Sequence, residues 1–131
     1  MKKLEFKING DNFQDIEGFY DELNRLVMKE ENWKLGVSLD AFNDLLYGGF
    51  GIIKDYDELE IIWLNSEKSR KDLGLETTKS YYQNKLEHPE IYNSKFIQEK
   101  LEELEAGNGQ TYFEILLEII SEHRKIELTL K

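Results

Sequence analysis

Apolar residues along this chain repeat with two different periods, and three segments show the period of a β-strand. Residues 4–8 and 126–130 alternate between apolar and polar side chains, as a strand with one buried face does. Residues 59–64 are almost wholly apolar between polar neighbours, which predicts a strand buried on both faces. The sequence therefore predicts strands near its beginning, its middle and its end.

Other segments show the helical period, with apolar residues three and four positions apart. Helical spacing with plausible ends is found in residues 12–29, 38–48, 66–73, 94–105 and 111–123. In the first of these, Asn12 is predicted to be the N-cap. In the fourth, the predicted apolar stripe is Phe96, Ile97, Leu101 and Leu104, and in the last, the predicted core side is Tyr112, Ile115, Leu116 and Ile119. Strands separated by helices predict an α/β fold with a small, mainly parallel sheet.

The helix predicted after Ser38 has two contrasting faces. Its apolar side consists of Leu39, Phe42, Leu45 and Leu46. Its polar side consists of Asp40, Asn43, Asp44 and Tyr47. Ser38 is a favourable N-cap, and Gly48 provides a helix stop. The polar side forms a small anionic, hydrogen-bonding surface that suits a basic protein partner better than it suits catalysis.

Composition narrows the class of partner. The chain has 131 residues, 27 acidic and 17 basic, for a formal charge of -10, and it contains no cysteine. This length predicts one domain, residues 1–131. The acidity argues against direct nucleic-acid binding and favours attraction to a basic protein. Without a signal-peptide pattern or a long apolar stretch, we expect a cytoplasmic protein that is not inserted in a membrane.

Candidate catalytic and metal-binding residues are few. The two histidines, His88 and His123, are expected to have structural or solvent-facing roles. Asp44 and Glu118 could in principle form the carboxylate pair of a glycosidase, but the chain is small for a sugar cleft. The acids at 55–58 lack the spacing of a calcium loop. We therefore expect no enzymatic activity, no metal and no cofactor.

Several short motifs stand in an order that resembles the barstar family of intracellular inhibitors of bacterial ribonucleases. They are Ile8-Asn9-Gly10 before an amphipathic helix, Leu39-Asp40-Ala41 with Asp44, Trp63 on the middle strand, and Glu118 with Glu122 before the last strand. The resemblance covers residues 3–74 and 108–131 and leaves 75–107 as a helical insertion. It implies a three-stranded parallel sheet packed by helices. It also implies a 1:1 complex with a basic ribonuclease or toxin nuclease.

The resemblance also assigns residues to the partner surface. Asp44 matches the central anchor, Asp40 the acid one turn earlier, Glu118 a peripheral acid and Glu122 a weaker neighbour. Gly36 matches a loop glycine that lets a partner's backbone approach.

The chain departs from the family at two of the contact positions. Lys34 replaces a tyrosine and Asn43 replaces a tryptophan, while Trp33 and Tyr47 are further candidates for partner contact. These departures leave open an alternative in which the chain is a non-catalytic interaction or scaffold protein. Its contact surface would then lie on residues 75–107.

Overall fold

The structure is a computed structural model, and it describes residues 2–131. Its strands are β1 (Lys3–Asn9), β2 (Glu58–Leu64) and β3 (Ile126–Leu130). Its α-helices are α1 (Ile16–Val27), α2 (Leu39–Leu46), α3 (Ser66–Asp72), α4 (Leu75–Leu86), α5 (Ser94–Glu105) and α6 (Tyr112–Ser121). Short 3-10 turns follow β1, at Gly10–Asn12, and precede β2, at Ile52–Asp55.

The three strands form one parallel sheet in the order β1-β2-β3. In the register, Phe6 of β1 lies beside Ile61 of β2, and Ile61 lies beside Leu128 of β3. Both crossovers between neighbouring strands contain helices, as parallel pairing requires. The predicted α/β class, with a small three-stranded parallel sheet packed by helices, is confirmed.

The middle strand is buried on one face only, so the prediction for residues 59–64 is wrong in this respect. Leu59, Ile61 and Trp63 are buried, whereas the alternate residues of β2 are only half-buried. The helices pack against one side of the sheet. On the other side, the ammonium group of Lys3 lies 3.8 Å from a Glu60 carboxylate oxygen and 3.6 Å from one of Glu127.

Trp63 lies at the centre of the main core. Its ring stacks on Phe19 of α1 at a centroid distance of 5.5 Å and meets Phe113 of α6 edge to face at 5.1 Å. Its indole nitrogen donates a hydrogen bond of 2.9 Å to the Ser69 hydroxyl of α3. One aromatic side chain thus connects the sheet to three helices, and its polar atom is satisfied without water.

Helix α1 begins at a different cap from the predicted one. The Asp15 carboxylate accepts a 2.7 Å hydrogen bond from the Gly18 N–H and is the N-cap. Phe13 is extended, with φ of -150°, and it separates this helix from the 3-10 turn that contains Asn12. The Asn12 amide donates instead to Glu22, at 3.1 Å. Asn12 therefore belongs to the junction that β1 makes with α1.

The prediction for the core side of α6 is partly wrong. Thr111 and Glu114 form a reciprocal capping box at the start of this helix. Tyr112 and Leu116 are buried as predicted, but Ile115 and Ile119 are only half-buried. The remaining core positions are taken by Phe113 and Ile120. The face of α6 that contacts the core is therefore rotated towards the Trp63 ring.

Residues 75–107 consist mainly of α4 and α5, which pack on each other around a second, smaller core. Its buried residues are Tyr82, Ile97, Leu101 and Leu104. Phe96 is 52 % exposed, so its predicted place in this apolar stripe is wrong, because α4 covers only one side of α5. The buried Thr78 hydroxyl accepts a 2.7 Å hydrogen bond from the Tyr112 N–H, which attaches α4 to the start of α6.

Candidate functional site

Helix α2 is fixed at both ends and along one side. The Ser38 hydroxyl accepts a 3.0 Å hydrogen bond from the Ala41 N–H, as its predicted role as N-cap requires. Gly48 follows the helix with φ of +83°, a conformation that favours glycine. Phe42 and Leu45 are fully buried in the main core. The polar side of α2 is therefore held in one orientation towards solvent.

Two carboxylates stand on that polar side. Asp40 and Asp44 lie one turn apart, and both are exposed. Within residues 2–131, neither forms a salt bridge or a side-chain hydrogen bond. Their negative charges are consequently not neutralised by a close cation of the described chain.

The other two members of the polar side contact His123, which follows the C-terminal end of α6. The His123 Nε2 atom is hydrogen-bonded to the Asn43 carboxamide oxygen at 2.8 Å. The Tyr47 ring meets the His123 ring edge to face at 4.7 Å and is itself 75 % exposed. Asn43 thus helps to hold α2 against α6, and most of the Tyr47 side chain remains exposed to solvent. This is a structural role of the kind predicted for His123, but the sequence does not indicate Asn43 as its partner, because the two hydrogen-bonded residues are 80 positions apart.

A buried chain of hydroxyl groups holds the start of α2. The Tyr20 hydroxyl donates a 2.8 Å hydrogen bond to the Ser38 carbonyl oxygen. The Tyr112 hydroxyl lies 2.7 Å from that of Tyr20 and therefore acts as the donor to it. Helices α1 and α6 both fix the N-cap residue of α2 in this way. No motif in the sequence indicates this contact.

The two predicted acids of α6 have different surroundings. Glu118 is exposed and accepts a 2.6 Å hydrogen bond from the Gln110 amide. Glu122 is the exposed C-cap residue and directly precedes His123. The structure therefore brings the Glu122 end of α6 against α2, while the hydrogen bond of Glu118 is made to Gln110 and not to α2.

The loop before α2 contains the remaining candidates. The Trp33 ring packs on Phe50 at a centroid distance of 4.9 Å and is 44 % exposed, so it is partly available for contact. Lys34 is exposed and forms no salt bridge with residues 2–131. A Cβ atom placed on Gly36 would meet nothing within 4 Å. Gly36 is therefore not required by packing within the described chain.

Tyr81 of α4 lies beside the N-terminal part of α2. The pKa of the Tyr81 phenol is raised to about 12, mainly by burial. Electrostatic interactions with the nearby Tyr92 and Asp40 raise it further. Its ring also meets Tyr112 edge to face at 5.1 Å. Helix α4 therefore faces the start of α2, where Asp40 lies.

Within the described residues, no three metal-ligating side chains are grouped to hold a metal ion. None of the described helices combines the length and the apolar character that a membrane span needs. Comparisons with protein-family models, with curated proteins and with solved structures found no match.

Proposed function

We propose that this protein is a non-catalytic inhibitor, or immunity protein, of a basic bacterial ribonuclease or toxin nuclease, and that it acts in the cytoplasm without a cofactor. Its acidic side of α2 would occupy the cationic active site of the enzyme, where RNA phosphates otherwise bind. The proposal rests on two lines of support. One is the order of motifs that resembles the barstar family, and the other is the geometry of α2.

The observation that carries the proposal is the state of Asp40 and Asp44. Both carboxylates are exposed and free of salt bridges with residues 2–131, yet the helix that bears them is fixed by its cap and its buried side. A preorganised helix loses little conformational entropy when it binds, so more of the interaction energy appears as affinity. Carboxylates of this kind pair well with arginine or lysine in a cleft.

The charge of the whole chain supports the same partner. A formal charge of -10 attracts a cationic protein over a distance and raises the rate of encounter. Once the complex forms, water leaves the carboxylates, and removing one of them leaves cationic groups of the enzyme buried without a partner. We therefore propose Asp44 as the anchor, with Asp40, Glu118 and Glu122 as supporting acids.

The departures from the family pattern alter the expected contacts around this anchor. Asn43 is committed to His123, so Tyr47 at the exposed end of α2 is the better candidate for aromatic contact. Trp33 offers a second partly exposed ring, beside Lys34. A cationic Lys34 would favour a target with an acidic group at the rim of its active site. The specific nuclease would thus differ from that of a member with tyrosine here.

The decisive experiment measures inhibition and binding against a panel of bacterial ribonucleases and toxin nucleases. For a nuclease that is inhibited, we expect Asp44→Ala to weaken 1:1 binding by about 2–5 kcal/mol, or roughly thirtyfold or more in Kd. Added salt should weaken the wild-type complex as well. Glu99→Ala removes an exposed carboxylate of α5 and is the matched control, which should bind nearly as the wild type does.

Two results would contradict this proposal. An inhibited nuclease whose Kd is the same for Asp44→Ala and Glu99→Ala would remove the assigned anchor. A panel of basic nucleases that shows no binding at all would reject inhibition as the function.

A second candidate function, a scaffold that binds through residues 75–107, is favoured by one specific observation. Phe96 on α5 is 52 % exposed, and the Lys100 ammonium lies 5.4 Å from its ring centroid. If this surface were the main interface, Phe96→Ser would abolish partner capture and Asp44→Ala would not. Point substitutions are preferable to deletion of the segment, because deletion would also remove the Thr78 and Tyr81 contacts with Tyr112.

A further inference from the structure

A groove of about 970 Å³ separates the N-terminal part of α2 from the insertion. One wall contains the first turn of α1 and the segment that leads into α2, and the other contains α4 and the loop after it. Asp40 belongs to this groove as well as to the acidic side of α2. The groove therefore continues the proposed partner surface towards residues 75–107.

Apolar side chains face solvent on opposite walls of this groove. Val37, just before α2, is 55 % exposed, and Ile91, after α4, is 68 % exposed. Leu39 and Tyr81 add apolar surface between them. An apolar side chain of a partner that entered the groove would remove apolar surface of its walls from water.

The charged residues of the groove are mainly acidic. Among the described residues that line it, the carboxylates are Asp15, Glu17, Asp40 and Glu76, and the only lysine is Lys85. The Lys85 ammonium lies 4.5 Å from the ring centroid of Tyr81 and 4.6 Å from that of Tyr92, so it is held against the wall. His88 also lines the groove and lies 3.3 Å from a Glu90 carboxylate oxygen.

Helix dipoles do not reverse this charge. The first turns of α1, α2 and α4 all border the groove, and each contributes a partial positive charge of about one half. The negative charges of the carboxylates on those same turns are larger in sum than these partial positive charges. The groove thus combines apolar walls with a negative rim, which is complementary to a cationic segment that carries an apolar residue.

We infer that this groove binds a basic segment of the protein partner, in which an apolar side chain is flanked by lysine or arginine. The apolar side chain would lie between Val37 and Ile91, and the flanking cations would pair with Glu17, Asp40 and Glu76. This inference rests on the proposed function in one respect, because the segment belongs to the same basic nuclease that α2 inhibits. The insertion then enlarges the inhibitory surface and does not serve a separate scaffold role.

The first test uses a peptide and does not require the nuclease. Amide chemical shifts of the ¹⁵N-labelled full chain are followed at low salt during titration with Lys-Arg-Leu-Arg-Lys, with Lys-Arg-Ser-Arg-Lys and with Glu-Glu-Leu-Glu-Glu. We expect saturable shifts at the groove with the leucine peptide and about fivefold weaker binding of the serine peptide, because a buried leucine side chain is lost. The acidic peptide should not bind.

Variants locate the binding site. Ile91→Ser removes apolar surface from one wall, and Glu76→Gln removes a carboxylate from the same wall. Each should weaken the leucine peptide at least threefold, while Phe96→Ser on α5, outside the groove, should not. Circular dichroism confirms that the variants are folded. Equal binding of the leucine and serine peptides, shifts spread over the whole acidic surface, or binding of the acidic peptide would each overturn the inference.

The second test uses an inhibited nuclease and separates this inference from the proposed function. Ile91→Ser and Glu76→Gln should weaken the complex, and their effects should add to that of Asp44→Ala because the sites do not touch. If Asp44→Ala weakens the complex and the two groove variants do not, inhibition stands and the groove is not part of the interface. If only the groove variants act, the anchor assignment fails and the groove remains.

Discussion

The hydroxyl groups of Tyr20 and Tyr112 lie 2.7 Å apart in the interior, although the two residues are 92 positions apart in the chain. The Tyr20 hydroxyl donates onward to the Ser38 carbonyl oxygen, so one hydrogen-bond chain runs from α6 through α1 to the cap of α2. Both tyrosine side chains are fully buried. The position of the acidic helix therefore depends on a polar contact inside an otherwise apolar core.

Removing either hydroxyl should destabilise the fold, but by different amounts. Tyr112→Phe leaves the Tyr20 hydroxyl bonded to Ser38 and should lower the free energy of unfolding by about 1 kcal/mol. Tyr20→Phe leaves the buried Tyr112 hydroxyl without its partner and should cost about 1–3 kcal/mol. Urea unfolding measures both. Tyr47→Phe, at an exposed phenol, is the control, and an equal loss in all three variants would contradict this ranking.

The same two tyrosines should make the protein sensitive to alkaline pH. Burial raises the pKa of both phenols above the usual value, and their mutual contact adds to this for Tyr112. Below pH 10 both the folded and the unfolded chain keep these protons, so the two phenols do not make the stability depend on pH. Above about pH 10 only the unfolded chain loses them, and stability falls by about 1.4 kcal/mol per pH unit for each tyrosine.

This alkaline loss can be measured by urea unfolding at several pH values from 9 to 11.5, with tyrosinate absorbance as a second signal. The variant that combines Tyr20→Phe and Tyr112→Phe should lose stability less steeply with pH than the wild type does. Equal slopes would show that other groups cause the loss.

Protonation of Glu22 should lower the stability of the folded protein at acidic pH. Burial alone would raise the pKa of this 3 % exposed carboxyl, but hydrogen bonds from Arg25, the Asn9 N–H and Asn12 hold its pKa below the usual value. The resulting stabilisation is present above about pH 4.3 and is lost as the pH falls through the lowered pKa of the folded state. Glu22→Gln should therefore cost about 1–3 kcal/mol at pH 7. Unfolding measured at pH 7 and at pH 3 should show this difference shrinking in acid, and a constant difference would refute the charge-based explanation.

Gly36→Ala should separate binding from folding. A Cβ atom at Gly36 meets none of the described residues within 4 Å, so the midpoint temperature of thermal unfolding should be unchanged or slightly raised. At Gly51, φ is +71° and a Cβ would lie 2.7 Å from the Val27 carbonyl oxygen, so Gly51→Ala should lower the free energy of unfolding by at least about 1 kcal/mol. If a nuclease approaches the loop closely, Gly36→Ala weakens its binding while Gly49→Ala, also in open space, does not.

Local patterns predicted much of the fold. The strand at 126–130, the Ser38 cap and the Gly48 stop depend on neighbouring residues, and each is found in the structure, although the apolar face of the strand is only half-buried and Leu130 at its end is exposed. Asn12 and Asp15 are three positions apart, and both residue types are good N-caps. In the structure the extended backbone of Phe13 separates Asn12 from α1, so that Asp15 is the cap. The one-sided burial of β2 depends on where the helices pack, which its own apolar residues do not determine.

The candidate site was predictable only in part, for the same reason. Asp40 and Asp44 follow from helical spacing, and the structure leaves both exposed. The contact of His123 with Asn43 joins residues far apart in the chain, and so does the groove that α4 forms with α2. Such contacts depend on how the elements pack, and no local pattern of residue types indicates them.

The sheet has two outer edges, formed by β1 and β3, and this has a consequence for self-association. Within residues 2–131, β1 and β3 each pair only with β2, so both outer edges present unpaired backbone groups to which another strand could add. Lysine and glutamate side chains line these strands, and the large negative charge keeps copies of the chain apart. Near the isoelectric point of about 4.7 this repulsion disappears. The charge that would attract a basic nuclease therefore also protects the protein from aggregation.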